Sequence, residues 1–146
     1  MIPSKRRKAR ELAIQALYSW HVSNNSSVLE IKKYVIKQNK TSILDKEYFN
    51  EIVDGVIQNV DYLDRIIKLY LSRKIQRLDI IEKAILRLSS YEIIQRLDIP
   101  YKVIINEGIE LAKTFGSQTS HKFINSILDK ITLKVIHKKK KIKKFL

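Results

Sequence analysis

Apolar residues recur at three- and four-residue spacing from Ala9 almost to Val135, and only three glycines and two prolines stand against them. That pattern is the signature of amphipathic helices, and the scarcity of turn-formers excludes a sandwich of short strands. The longest run extends from Leu44 to Ser72, with Tyr48, Phe49, Ile52, Val53, Val56, Ile57, Val60, Leu63, Ile66, Ile67 and Tyr70 in register. Gly55 costs roughly 1 kcal/mol inside such a run. Asp61 has the character of a new N-cap, so the spacing predicts two abutting helices with a bend near Val60.

The remaining elements follow from caps and breakers. The polar stretch His21–Val28 separates the first helix from a short one over residues 28–38. Asp79, with Glu82 three residues on, has the pattern of a capping box. The helix it opens has one stripe of Ile81, Ala84, Ile85, Leu88 and Tyr91, and a second of Leu86, Ile93 and Leu97. Apolar on two sides, it is either central to the core or a protein-binding face. Pro100 restricts the residue before it and marks a turn. Tyr101–Phe115 is then helical, with Gly116 ending it as an expected C′ residue, and a last helix follows Ser117–Ser120. The expectation is an all-α fold of about seven helices in two small packed bundles, without a sheet. Residues 1–137 would form one domain, with an N-terminal bundle over about 4–72 and a C-terminal one over about 79–137. Residues 138–146 would be a Lys-rich tail.

The first helix, Ser4 to Trp20, carries two signals at once. Ala9, Leu12, Ala13, Ala16, Leu17 and Trp20 form one buried stripe. Its first two turns nevertheless hold Lys5, Arg6, Arg7, Lys8 and Arg10. Cations at the positive end of the helix dipole are unfavourable by roughly 0.3–1 kcal/mol each. An anionic partner is the simplest reason to tolerate them. At 100° per residue, Arg7, Arg10, Glu11, Ile14 and Tyr18 fall opposite the stripe. There guanidiniums could hold phosphates while Tyr18 stacks an unpaired base; the alternative is that Ile14 and Tyr18 pack on another helix.

Charge is concentrated at the ends. The net +14 divides into +5 on residues 1–10, +7 on residues 134–146, and +2 on everything between. With 21 Lys and 24 Ile, the chain also shows a compositional bias that could by itself produce the KKKKIKK run as a solvated, non-specifically attractive tail. Without Cys there is no disulfide, thiolate metal site or Cys nucleophile. His21, His121 and His137 lack metal-ligand partners at helical spacing, and no glycine-rich phosphate loop occurs. The pairs Glu107/Glu110 and Asp61/Asp64 could serve acid–base chemistry or hold Mg²⁺, but on helices of a Lys-rich chain they are expected to be solvated partners of basic residues. The reading is therefore not an enzyme, with no metal and no cofactor. No leader-like or membrane-spanning apolar run is present, so a cytoplasmic protein is expected.

Three blocks carry a family pattern: RRKARELAIQALYSW, DIIEKAILRLSSYEI and IPYKVIINEGIELAKTFGSQTSHKFINSILDKI. Collinear from about Lys5 to Ile131, they resemble the NusB family of transcription antitermination factors. The resemblance implies two helical bundles and a binding role: single-stranded box A RNA held together with NusE, a small-subunit ribosomal protein. Through that pair, other Nus factors and RNA polymerase are implied partners, sustaining transcription of ribosomal RNA operons; a homodimer is compatible with this. By the same resemblance, Arg6, Arg7, Lys8, Arg10 and Tyr18 face RNA. The Ser120–Phe123 segment adds Lys122 and Phe123, and Glu82 and Arg87 lie near the RNA and NusE surfaces. Phe123 has core packing as its alternative, and Glu82 the role of capping acid. The sequence departs from the family pattern at Ser126, Thr119 and Gly108, where Gly, an acid and Ala are common. Two other readings use the same features: a stand-alone module like the N-terminal part of ribosomal RNA cytosine methyltransferases, and a basic peripheral membrane protein.

Overall fold

The computed structural model describes residues 4–24, 27–40, 43–72 and 74–144, with side chains described through residue 140. Among them are seven α-helices, one single-turn 3₁₀ helix at Ile75–Arg77, and no strand. The helices are α1 (Lys5–Ser23), α2 (Val28–Asn39), α3 (Lys46–Gln58), α4 (Val60–Lys68), α5 (Ile80–Gln95), α6 (Tyr101–Phe115) and α7 (Ser120–Lys144). Two compact units result, Met1–Asn59 with α1 to α3 and Val60–Leu146 with α4 to α7.

In the first unit α1 packs against both α2 and α3. Ala9, Ala13 and Ala16 are fully buried, and small residues let neighbouring backbones approach closely. Larger side chains fill the rest: Leu12 and Leu17 of α1, Ile31 and Val35 of α2, and Phe49, Ile52, Val53 and Val56 of α3. Side-chain oxygens cap all three helices at their starts, Ser4, Ser27 and Asp45 accepting from the N–H of Arg7, Glu30 and Tyr48. Asn24 and Lys40 close α1 and α2 with φ of 49° and 40°. Of the two, Lys40 (ψ 44°) is left-handed helical, a conformation a lysine adopts at some cost, whereas Asn24 has ψ −39°.

The second unit is built around α5, which packs against α4, α6 and α7. This central place accounts for its two apolar stripes, except that Leu97, expected in the second, lies beyond the end of α5 and is exposed. Ala84, Ile85, Leu86, Leu88 and Ile93 are all buried, as are Ile104, Leu111, Ile124, Leu128 and Ile131 of its neighbours. Asp79 caps α5, but its Oδ1 accepts from Ile81 N–H (3.1 Å) rather than from the third residue of the helix.

Three features differ from the sequence expectation. The units part at Asn59, not between residues 72 and 79, so α4 belongs with α5. The Asn59 backbone N–H and its amide Nδ2 (2.7 Å) both donate to Gly55 O, which satisfies the last turn of α3 and frees the chain to redirect. Gly116 has φ −96°, outside the left-handed region; its value lies in space, since a Cβ there would come within 2.8 Å of Ala112 O and 3.1 Å of Ser120. Finally, α7 does not stop where the lysine run begins but continues to Lys144.

Candidate nucleic-acid interface

The start of α1 is set by Ser4, whose Oγ accepts from Arg7 N–H at 2.9 Å. A second tie fixes what lies beside it: Asp45 N–H donates to Lys5 O at 3.2 Å, pinning the head of α3 to the head of α1. Tyr48, on the first turn of α3 and 3% exposed, is thereby placed under two cations. The Arg6 guanidinium carbon lies 4.4 Å from its ring centroid and that of Arg10 lies 5.5 Å away. Such contacts hold arginines in defined positions and are worth about 0.5–2 kcal/mol. The sequence reading missed Tyr48, taking it as one more core residue of a helical stripe. Its only local signal was Asp45 as a cap three residues earlier; the pairing with Arg6 depends on tertiary structure.

The five cations thus separate by role. Lys5 and Arg7 are exposed, Arg6 and Lys8 half-buried, and Arg10 buried at 2% exposure. Lys8 sits 3.6 Å from Glu11, a partly exposed pair of small energetic weight. Arg10 and Ile14 were expected opposite the buried stripe and both are buried, Ile14 completely. The middle of α1 is covered around more of its circumference than one stripe requires, which angular spacing alone does not reveal. Tyr18 is 42% exposed. Eleven residues from Arg7, it returns to within about 20° of the same helix face and lies about 16 Å along the axis. The open face of α1 that bears Tyr18 therefore begins at Arg7, while Lys5, two residues earlier and on the other side of the helix, adds charge at the same end.

In the second unit the Ser120–Phe123 segment forms the first turn of α7. Ser120, 3% exposed, accepts at Oγ from Ser117 N–H (3.2 Å) and shares a hydroxyl hydrogen bond with Ser117 Oγ (2.8 Å). This tight turn leaves Lys122 exposed and Phe123 half-buried. Glu82 and Arg87 are on α5. Glu82 is buried, and Arg87 makes a bidentate ion pair with Asp64 of α4, Nε to Oδ1 and Nη2 to Oδ2, each 2.8 Å. Its guanidinium is thus engaged within the unit, bracing α4 on α5. Lys83, between these two, is buried. Burial and then the Arg87 charge push its ammonium below the usual lysine value, against the attraction of Asp64. Among the described residues, no cluster of His, Asp and Glu could hold a metal ion, and no helix is long and apolar enough to cross a membrane.

Fold and site together define a class: an all-helical protein presenting cations and an exposed tyrosine along the first helix. Comparison with known proteins makes this specific. The NusB family model matches residues 7–133. The transcription antitermination protein NusB of Buchnera aphidicola subsp. Cinara cedri is 70% identical over 128 residues, 88% of this chain and 90% of its own length. Its counterpart in Erwinia tasmaniensis is 51% identical over 130 residues, 89% of this chain and 93% of its own. A crystal structure of antitermination factors NusB and NusE in complex with dsRNA matches with a TM-score of 0.80 at 28% identity, covering 88% of this chain and 96% of that one. NusB of T. maritima matches with a TM-score of 0.78 at 30% identity, covering 90% and 92%. The chain belongs to the NusB family. It stands with transcription antitermination proteins, not with enzymes.

Proposed function

We propose that this chain is a transcription antitermination factor that binds single-stranded box A RNA together with NusE. With other Nus factors on RNA polymerase, the pair promotes read-through of ribosomal RNA operons. The observation that carries the reading is the exposed face of α1, where Arg7 precedes Tyr18 on one side of the helix and Lys5 adds exposed charge at its N-terminal end. Phosphates suit the cations, and an unpaired base suits the ring. Arg6 and Lys8 extend the cationic end, and Arg10 supports Arg6 through Tyr48 instead of touching RNA. Lys122 and Phe123 contribute a second contact, and Glu82 and Arg87 the NusE side. The antitermination relatives support the role, and the NusB–NusE–dsRNA structure supports NusE and RNA as partners.

The test is a titration of labelled box A RNA and a scrambled RNA of equal length, at several salt concentrations, with and without NusE. About five phosphate contacts give a log–log salt slope near −3 to −4 on single strands. A preference for box A that grows when NusE is added is the expected result. Equal binding to both RNAs, indifferent to NusE, overturns it.

A further inference from the structure

The second unit contains a groove that RNA recognition by α1 does not use. A cavity of about 390 Å³ lies between α4, the end of α5 and the later turns of α7. Its floor is apolar, with Ile66, Leu69, Ile94 and Val135 beside the rings of Tyr62 and Tyr70, and its lining includes three lysines, Lys134, Lys138 and Lys139, and no carboxylate. Leu69 is 70% exposed, an unusual position for a leucine beside such a floor. The lysine side is a built wall. Lys139 Nζ donates to Tyr101 Oη at 2.9 Å and lies 5.5 Å from that ring's centroid, which ties the late turns of α7 to the head of α6. These turns also lie beyond residue 133, where the family match ends.

We infer that this groove docks an acidic amphipathic helix of a partner protein. An apolar floor bordered by ammonium groups is complementary to a segment with leucine-like side chains on one face and carboxylates at its edges. Aliphatic side chains of such a segment gain from burial on this floor, and its carboxylates from the three ammonium groups at the border. Lys134 and Lys138, both exposed, supply the charge that selects acidic over basic segments.

The experiment is fluorescence anisotropy with the whole chain and a labelled 14-residue probe of leucine and glutamate, leucines at i, i+3, i+4 and i+7. Two controls accompany it, one of the same composition in scrambled order and one with lysine for every glutamate. The ordered acidic probe should bind with a Kd in the tens of micromolar. Leu69→Ser and the double variant Lys134→Gln/Lys138→Gln should each weaken it at least tenfold with unchanged thermal melts, because all three side chains are exposed. Saturating box A RNA should not displace it, and Arg7→Ala should leave it intact, which separates this result from the RNA reading. No binding, equal binding of the scrambled probe, or a Leu69→Ser variant that binds like the parent overturns the inference. Loss of RNA affinity in Leu69→Ser reassigns the groove to nucleic acid, and a dimer in sedimentation that this variant abolishes reassigns it to a second copy of the chain.

Discussion

Arg7 and Arg10 sit three residues apart on one helix and should respond oppositely to truncation. Arg7 is exposed, so Arg7→Ala should leave the melting temperature unchanged and flatten the salt slope of RNA binding by about 0.7, the loss of one phosphate contact. Arg10 is buried with its guanidinium 5.5 Å from the Tyr48 centroid, so Arg10→Ala should destabilise by about 1–3 kcal/mol in urea titrations, through lost packing and lost cation–π attraction. An Arg10→Ala variant as stable as the parent would return Arg10 to the list of direct contacts. Tyr18→Ala removes a stacking platform and should cost about tenfold to a hundredfold in RNA affinity without loss of helicity. Lys83 supplies a pH dependence. Its folded-state value lies below 10.5, so between that value and 10.5 the unfolded chain holds more protons and stability rises with pH, levelling off above. Lys83→Met keeps the buried stem and removes the charge. Urea midpoints followed from pH 7 to 10.5 should show the parent gaining on the variant as pH rises, and parallel curves would show that burial does not strain this ammonium.

Helix α6 illustrates what the elements had to accommodate. Gly108 is buried in mid-helix, and a Cβ there would meet Leu128 Cδ1 and Ser89 Oγ at 3.0 Å each. Ser89 Oγ is itself buried with no hydrogen-bond partner. Glycine in a helix interior costs roughly 1 kcal/mol relative to alanine, and an unsatisfied buried hydroxyl about 1–3 kcal/mol. Gly108→Ala alone should be neutral or destabilising because Ser89 and Leu128 both crowd it, while adding Ser89→Ala removes one close contact and the unsatisfied hydroxyl and should recover about 1–2 kcal/mol relative to Gly108→Ala. Thermal or urea denaturation of the four-member cycle gives the coupling, and strict additivity would show that the two sites do not compete. Helices of this kind were legible in the sequence wherever a local cause set their limits. Pro100 and Gly116 bound α6 at Tyr101 and Phe115, and the Asp79 cap begins α5 at Ile80. Asn59 was harder to interpret, because a residue that ends one helix does not announce which bundle the next one joins. Asp64 decided that through Arg87, twenty-three positions away. The same distance effect hid Tyr48 beneath Arg6 and the cover over Arg10 and Ile14, since periodicity gives the face of a helix but not how many neighbours surround it.

At the scale of the whole molecule, charge separates affinity from selectivity. Residues 11–133 carry only +2, while residues 1–10 and 134–146 carry +5 and +7. The first cluster is organised: Ser4 caps it, Tyr48 seats Arg6, and Tyr18 follows on the same helix. The lysines from Lys140 onward have no aromatic residue interleaved until Phe145, and a run of point charges attracts any polyanion alike. Their contribution should therefore be equal for box A and scrambled RNA. Replacing Lys140, Lys141, Lys143 and Lys144 with Gln should flatten the salt slope on scrambled RNA by up to about 3, at 0.7 per phosphate contact. Affinity for both RNAs should fall at low salt by the same factor, while box A keeps the contacts made at α1. The ratio of the two affinities should consequently stay unchanged as the lysines are removed. A ratio that falls instead would mean that these lysines read box A, and that the C-terminal end of α7 belongs to the specific interface.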